Sequence, residues 1–155
     1  MVDVVKFDEL KPVGEKWAAE FCKALNESPE YEEAGKGWGV EFDGGMLFVM
    51  EACGEIEDDL QAFLDLKDGK CLGIRVLAPG EAPPREPALT VTAPFLTWRK
   101  IATHEVGPVQ AIMQGLLGLK GDMGLAMRYS RAAVELANAV DQTDTTIFTK
   151  YDLGD

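Results

Sequence analysis

Apolar residues four apart set the period of the first segment. In "KPVGEKWAAEFCKALNES" Val13, Trp17, Phe21 and Leu25 fall on one helical face, and Ala18 and Cys22 widen it. Pro12 fits a first turn, and Asn26-Glu27-Ser28-Pro29 ends the helix. "PEYEEAG" adds one more turn. The period then drops to two. Trp38, Val40 and Phe42 alternate with Gly39, Glu41 and Asp43, which predicts a strand, and Asp43-Gly44-Gly45 predicts a hairpin turn. "MLFVMEAC" is apolar on both faces apart from Glu51, as expected of a central strand covered on both sides. "GEIEDD" (54–59) reads as a solvated acidic connection rather than a paired-carboxylate site. Leu60, Ala62, Leu64 and Leu66 alternate, Asp68-Gly69 is the strongest hairpin signal, and "KCLGIRVL" returns with Leu72, Ile74 and Val76 inward. Residues 38–53 and 60–77 are therefore expected to form two hairpins of one sheet. Proline-rich 78–88 is a loop, and "LTVTA" is a fifth strand.

Helical spacing returns after Pro94, where Phe95, Trp98, Ile101 and Ala102 share a face. Gly107-Pro108 starts another helix, with Val109, Ile112, Met113 and Leu116 on one side. "LGLK" is a short extended or turn segment. The last helix, "MGLAMRYSRAAVELANAV", carries two stripes: Leu125, Tyr129, Leu136 and Val140, then Met123, Met127 and Val134. A helix apolar over so wide an arc buries two faces, one against the sheet and one against neighbouring helices or a cavity. Residues 141–155 are polar and expected to form a loosely held tail. Clustered strands flanked by helices give an α+β class with a mainly antiparallel sheet of about five strands.

The length, 155 residues, suits one domain: a helical region over 1–35, a core over 36–140 and the polar tail. A net charge of -12 argues against nucleic acid as a partner and against strong attraction to anionic membranes. The charge is uneven, because residues 94–140 hold five basic and three acidic side chains, a net of +2. No apolar run reaches the length of a membrane span. "MVDVVKFDEL" has no apolar signal core, which points to the cytoplasm. Cys22, Cys53 and Cys71 form no CxxC pair, share no metal-ligand spacing with His104 and read as reduced buried thiols.

Candidate chemistry is sparse. "GLKGDMGLAMR" (118–128) carries a lysine among glycines, yet Lys120 precedes Gly121 and Asp122 stands where a phosphate loop needs a hydroxyl. The better reading makes Gly121 a turn, Asp122 an N-cap and Met123 the start of a helix. His104 reads as a capping or surface residue, no serine sits in a nucleophile elbow, and no HExxH is present. No catalytic residue, metal or cofactor is called for, so the chain reads as a non-enzyme. Five methionines besides Met1 (Met46, Met50, Met113, Met123 and Met127) are soft enough to mould to varied apolar shapes, although for any one of them core filling suffices.

One region resembles a known family. "KGWGVEFD", "FLDLKDGKCLGIRV" and above all "LTVTAPFLTWRKIATHEVGPVQAIMQGLLGLKGDMGLAMR" are similar to segments of sterol carrier protein 2 lipid-binding domains, across some two thirds of the chain. The ordered series of Trp98, Gly107-Pro108 and Leu119-Lys120-Gly121-Asp122 is the specific part. The resemblance implies a five-stranded, mostly antiparallel sheet covered by helices, an apolar tunnel holding lipid, and no catalytic residues. It makes Trp98, Met113, Leu117, Met123 and Met127 candidates for the tunnel lining, and Phe48, Met50, Ile101, Ile112 and Leu116 complete the expected apolar wall. Arg99, Lys100, Lys120, Arg128 and Arg131 lie on segments expected to border the cavity and suit an acidic head group, against the plainer reading of solvated charges on helix backs. The acidic N-terminal region and the ending "LGD" depart from the basic, peroxisomal members.

Three functions follow as expectations. The first is a carrier or buffer of a long-chain lipid, such as a fatty acid or acyl-CoA, its apolar ligand being its partner. The second is a dimerisation or enzyme-contacting module, compatible with a homodimer, whose tunnel is filled by side chains. The third, a small-molecule enzyme on a cone-like α+β fold, lacks a catalytic set.

Overall fold

A computed structural model describes residues 4–154; Met1–Asp3 and Asp155, and the parts of the N-terminal and tail readings that fall on them, lie outside the described residues. Its elements are α1 (Phe7–Asn26), α2 (Pro29–Ala34), β1 (Gly45–Glu51), β2 (Leu60–Lys67), β3 (Lys70–Leu77), β4 (Leu89–Pro94), α3 (Phe95–Ala102), α4 (Pro108–Met113), β5 (Gly118–Gly121), α5 (Met123–Arg128), α6 (Ser130–Ala139) and α7 (Thr146–Thr149), with a short 3-10 turn at Val140–Gln142. The sheet order is β3-β2-β1-β4-β5. β1 and β4 run parallel and every other pair antiparallel, so the mainly antiparallel expectation holds.

β1 lies at the centre, and its alternation divides the core. Met46, Phe48 and Met50 join the large cluster under the helices, whereas Leu47 packs with Phe63 and Leu77 on the opposite face. Arg85 lies over the Phe63 ring there, 5.2 Å from its centroid, and bonds both Asp43 and Asp65. That guanidinium, with the Gly45 N–H, holds the Asp43 carboxyl below its usual range.

Two expected features of the sheet need correction. Residues 38–43 are turns, not a strand, so 38–53 is no hairpin. Gly37 and Gly39 have φ of 91° and 78°, outside strand geometry, and the alternation reflects glycines two apart rather than a pleat. The Trp38 indole donates to the Gly44 carbonyl at 2.8 Å and Phe42 meets its ring edge-on, so the aromatic residues serve a tight turn. The fifth strand is instead β5, the "LGLK" segment. The second correction concerns β3. Leu66 pairs with Cys71 but Asp65 with Gly73, so Leu72 is the extra residue of a bulge and stands 62% exposed. Ile74 and Val76 do pack on the core.

The hairpin over 60–77 forms as expected. Asp68 and Gly69 have φ of 51° and 77°, the paired positive values that a two-residue turn matched to strand twist requires. Asp68 Oδ1 accepts from the Gly37 N–H at 2.9 Å, and a Cβ on Gly69 would collide with the Glu32 carbonyl. Gly69→Ala is therefore expected to cost about 1–3 kcal/mol, from backbone strain with the clash added. A urea titration reads this as a lower midpoint with an unchanged slope.

The helices and termini also depart from expectation. α1 begins one turn before Pro12, because Asp58 Oδ2 accepts the Phe7 N–H at 2.8 Å and Phe7 and Leu10 are buried. The 54–59 connection is thus a docking segment: Val5 bridges Ile56, and Asp59 accepts from the Ala52 N–H. Cys22 and Cys71 form a disulfide with Cα atoms 5.4 Å apart, which overturns the reduced-thiol reading for those two; Cys53 is free. Asn26 doubles that link, donating to the Cys71 carbonyl at 2.9 Å and accepting its N–H at 2.8 Å. The expected loose tail is packed, with Ile147, Phe148, Tyr151 and Leu153 all buried. Asp144 holds it: its carboxylate accepts from Thr146 and from Lys16 at 3.3 Å, contacts that keep its pKa down at about 2. The expected last helix breaks at Tyr129 into α5 and α6.

Candidate lipid-binding cavities

Two small cavities lie between the helix-facing side of the sheet and the roof made by α4, α5 and α6. The first, about 90 Å³, is walled by Met46 and Phe48 of β1, Val91 of β4, Trp98, Ile101 and Ala102 of α3, Pro108 and Ile112 of α4, Leu117, and Ala133, Leu136 and Ala137 of α6. Trp17 and Phe21 of α1, Val140 and Phe148 complete the wall. The second, about 70 Å³, extends toward Tyr31, Trp38, Leu119, Ala126 and Tyr129. Met46, Val91, Ile112, Ala133 and Leu136 belong to both walls, so these five side chains are the partition. Both walls are almost wholly apolar. Burial pushes the Tyr31 phenol up to about 12, so the second cavity stays uncharged at neutral pH.

Local sequence explains how the walls are placed. Pro94 caps α3, and Trp98 Nε1 donates to the carbonyls of Val49 and Ala93, each at 3.1 Å, which pins α3 to β1 and β4. The Phe48 and Trp98 rings sit 4.9 Å apart. Asp122 caps α5 as expected, accepting from the N–H groups of Gly124 at 2.8 Å and Leu125 at 3.3 Å. α5 itself contributes no buried residue.

Phe48, Trp98, Ile101, Ile112 and Leu117, named from sequence, come together on the first cavity. Met50 is buried beside them but on neither wall. Met113, Leu116, Met123 and Met127 stand on the outer surface, at 83, 40, 50 and 74% exposure. Of Val109, Ile112, Met113 and Leu116, the predicted side of α4, Ile112 lies on both cavity walls, whereas Met113 and Leu116 face out and the fully buried residue of the helix is Ala111. Of the second stripe, Met123, Met127 and Val134 are all exposed. No basic candidate lines either cavity. Arg99 and Lys100 end α3, and Arg128 and Arg131 flank the α5–α6 break. Lys120 pairs with Thr90, one position off Leu119, which places it on the sheet face away from the cavities.

Sequence reasoning missed Trp17, Phe21, Met46, Val91, Ala133 and Leu136 as walls. Trp17 and Phe21 carried a legible signal as the apolar face of the first helix; what that face covers is a tertiary fact. His104 bonds Asp141 at 2.7 Å on the surface. Among the described residues no group of three or more His, Cys, Asp or Glu is arranged for a metal ion, and no helix is long and apolar enough to cross a membrane. An open surface trough bearing Glu20, Glu27, Glu30 and Glu135 is lined by none of the cavity residues.

Known structures share this fold. A crystal structure of sterol carrier protein 2 is 29% identical, with a TM-score of 0.71 over 84% of this chain and 97% of that one. A solution structure from Thermus thermophilus, described as possibly a sterol carrier protein, is 29% identical with a TM-score of 0.72 over 84% and 88%. A sterol carrier protein domain of Helicoverpa armigera, 18% identical with a TM-score of 0.50 over 80% and 91%, shares the fold. No curated protein sequence matches the chain significantly. The model of the SCP-2 sterol transfer family matches residues 52–134, more than half of the chain and the whole run from β2 into α6, and the chain therefore belongs to that family.

Proposed function

We propose that this protein is a non-catalytic carrier or buffer of a single long-chain lipid, a fatty acid, acyl-CoA or related chain, held between the sheet and α4, α5 and α6. The observation that carries the reading is the pair of apolar cavities sharing five wall residues under one roof. They are small against the roughly 300 Å³ and above typical of ligand sites. Binding therefore requires Met46, Ile112 and Leu136 to swing aside and the roof to lift. α5 suits that movement, because it buries no residue and is separated from α6 at Tyr129. An acidic head emerging at the break would meet Arg128 and Arg131. Native mass spectrometry of the purified protein is expected to show an adduct of lipid mass that organic extraction removes, and analysis of the extract identifies its head group.

The interaction-module alternative is favoured by one observation, the outward methionines Met113 and Met127 on that same roof. Absence of an adduct, together with a concentration-dependent dimer, would decide for it.

A further inference from the structure

Trp17, Trp38 and Trp98 are all buried. Two of their indole N–H groups are satisfied, by Gly44 and by Val49 with Ala93. The third is not: Trp17 Nε1 is buried and meets no acceptor among the described residues. Trp17 is also a wall residue of the first cavity, its nitrogen lying beneath the surface of that wall, so that a ligand atom reaches it once the cavity widens. Its ring is held firmly, stacked on Phe21 at 4.8 Å and met edge-on by Phe148 at 5.4 Å. A buried donor without an acceptor is costly, and native proteins rarely leave one. Water is a poor remedy here. A buried water needs two to four polar partners, and this wall is apolar apart from the indole itself. An oxygen carried on an apolar chain needs only the one donor, since the chain satisfies the rest of the wall.

We propose that Trp17 Nε1–H is a recognition donor for an uncharged oxygen (ketone, ester or hydroxyl) on the chain that fills the cavity. The oxygen is uncharged because no Lys, Arg or His lines either cavity, and a carboxylate buried without a cation is strongly disfavoured. Among long-chain lipids the preferred ligand is thus one oxygenated near its buried end, over a plain hydrocarbon tail of the same length. Tyr151 Oη, also buried without a partner, lies outside both walls and supports no such role.

The inference rests on the carrier reading, and one experiment separates the two. A long-chain methyl ketone and an alkane of equal heavy-atom count compete with a fluorescent lipid on wild type and on Trp17→Phe. The ketone-to-alkane affinity ratio is expected to be about three- to tenfold higher in wild type, the contribution of one hydrogen bond. In the indole N–H spectrum of wild-type protein, the ketone complex should differ from the alkane complex by a downfield move of the Trp17 resonance alone, because Trp38 and Trp98 already have acceptors. This second measurement does not depend on the variant folding. If both ligands bind, the ratio is unchanged and the Trp17 resonance is the same in both complexes, the inference is overturned and the carrier stands. If neither ligand binds wild type, both are overturned.

Discussion

Saturated fatty acids of increasing length are expected to bind with affinity rising about fourfold per added methylene, the equivalent of about 0.8 kcal/mol each. The slope follows from the walls. With almost no polar surface to satisfy, each added CH₂ gains burial and loses no hydrogen bond. Four methylenes then separate ligands by about two hundredfold, far above what a charged head on exposed arginines contributes, about 0–1 kcal/mol. A plateau is also expected. A chain entering under the α5–α6 break traverses the second cavity, displaces the partition and stops against Trp17, Phe21 and Phe148. Beyond that length each extra methylene stays in water. Isothermal titration across the series measures both slope and plateau. Binding without length dependence, or none at all, would refute the carrier and favour the interaction module.

Ala133→Phe is expected to reduce long-chain affinity by about a hundredfold or more while leaving the fold intact. Ala133 stands on both walls, on the roof side of the partition, so a ring there blocks the joint between the cavities. Losing one of the two compartments removes several methylenes of burial, each worth about 0.8 kcal/mol. Overpacking costs about 1–3 kcal/mol in a full core, but this ring enters space that is partly empty, so the loss of stability should fall at or below the low end. Thermal melting and lipid displacement, measured on the same sample, give the two effects separately. Unchanged affinity with unchanged melting would show that ligand does not pass this joint.

How much of this was legible beforehand depended on whether a feature was local. Asp68-Gly69, Pro94, Gly107-Pro108 and Asp122 each act through their own backbone, and each marks the element boundary expected of it. The family likeness was legible for the same reason, since its specific series is a string of such boundaries. Failures occurred where distant contacts decide. Leu72 faces out because β3 takes one residue more than β2, an imbalance no alternation of β3 alone reveals. The Cys22–Cys71 pair requires α1 to lie along β3, and the tail is ordered by Lys16, Glu20 and Glu55, which belong to other segments. Of the expected wall residues on β1 and α3, Phe48, Trp98 and Ile101 lie on the first cavity, since a short flanking helix has one obvious inner face, whereas Met50 lies on neither wall. On α4 and α5 the large methionines suggested an inner face, yet smaller neighbours share it: Ala111 is buried in the core beside Ile112, and Ala126 lies on a cavity wall. Small residues let a helix approach the sheet closely, and hydropathy ranks them below methionine.

The family match spans residues 52–134, while Trp17, Phe21, Met46, Phe48, Leu136, Ala137, Val140 and Phe148 of the first cavity's wall all lie outside it. The α3–α4 side of the first cavity thus falls within that match, and much of the rest of its wall is assembled from the first helix, β1 and the last segments of this chain. Divergence can act on one without the other. Substitutions at Trp17, Phe21, Val140 or Phe148 leave the strand register and the roof untouched, so relatives that keep the same scaffold are free to differ in what they hold there.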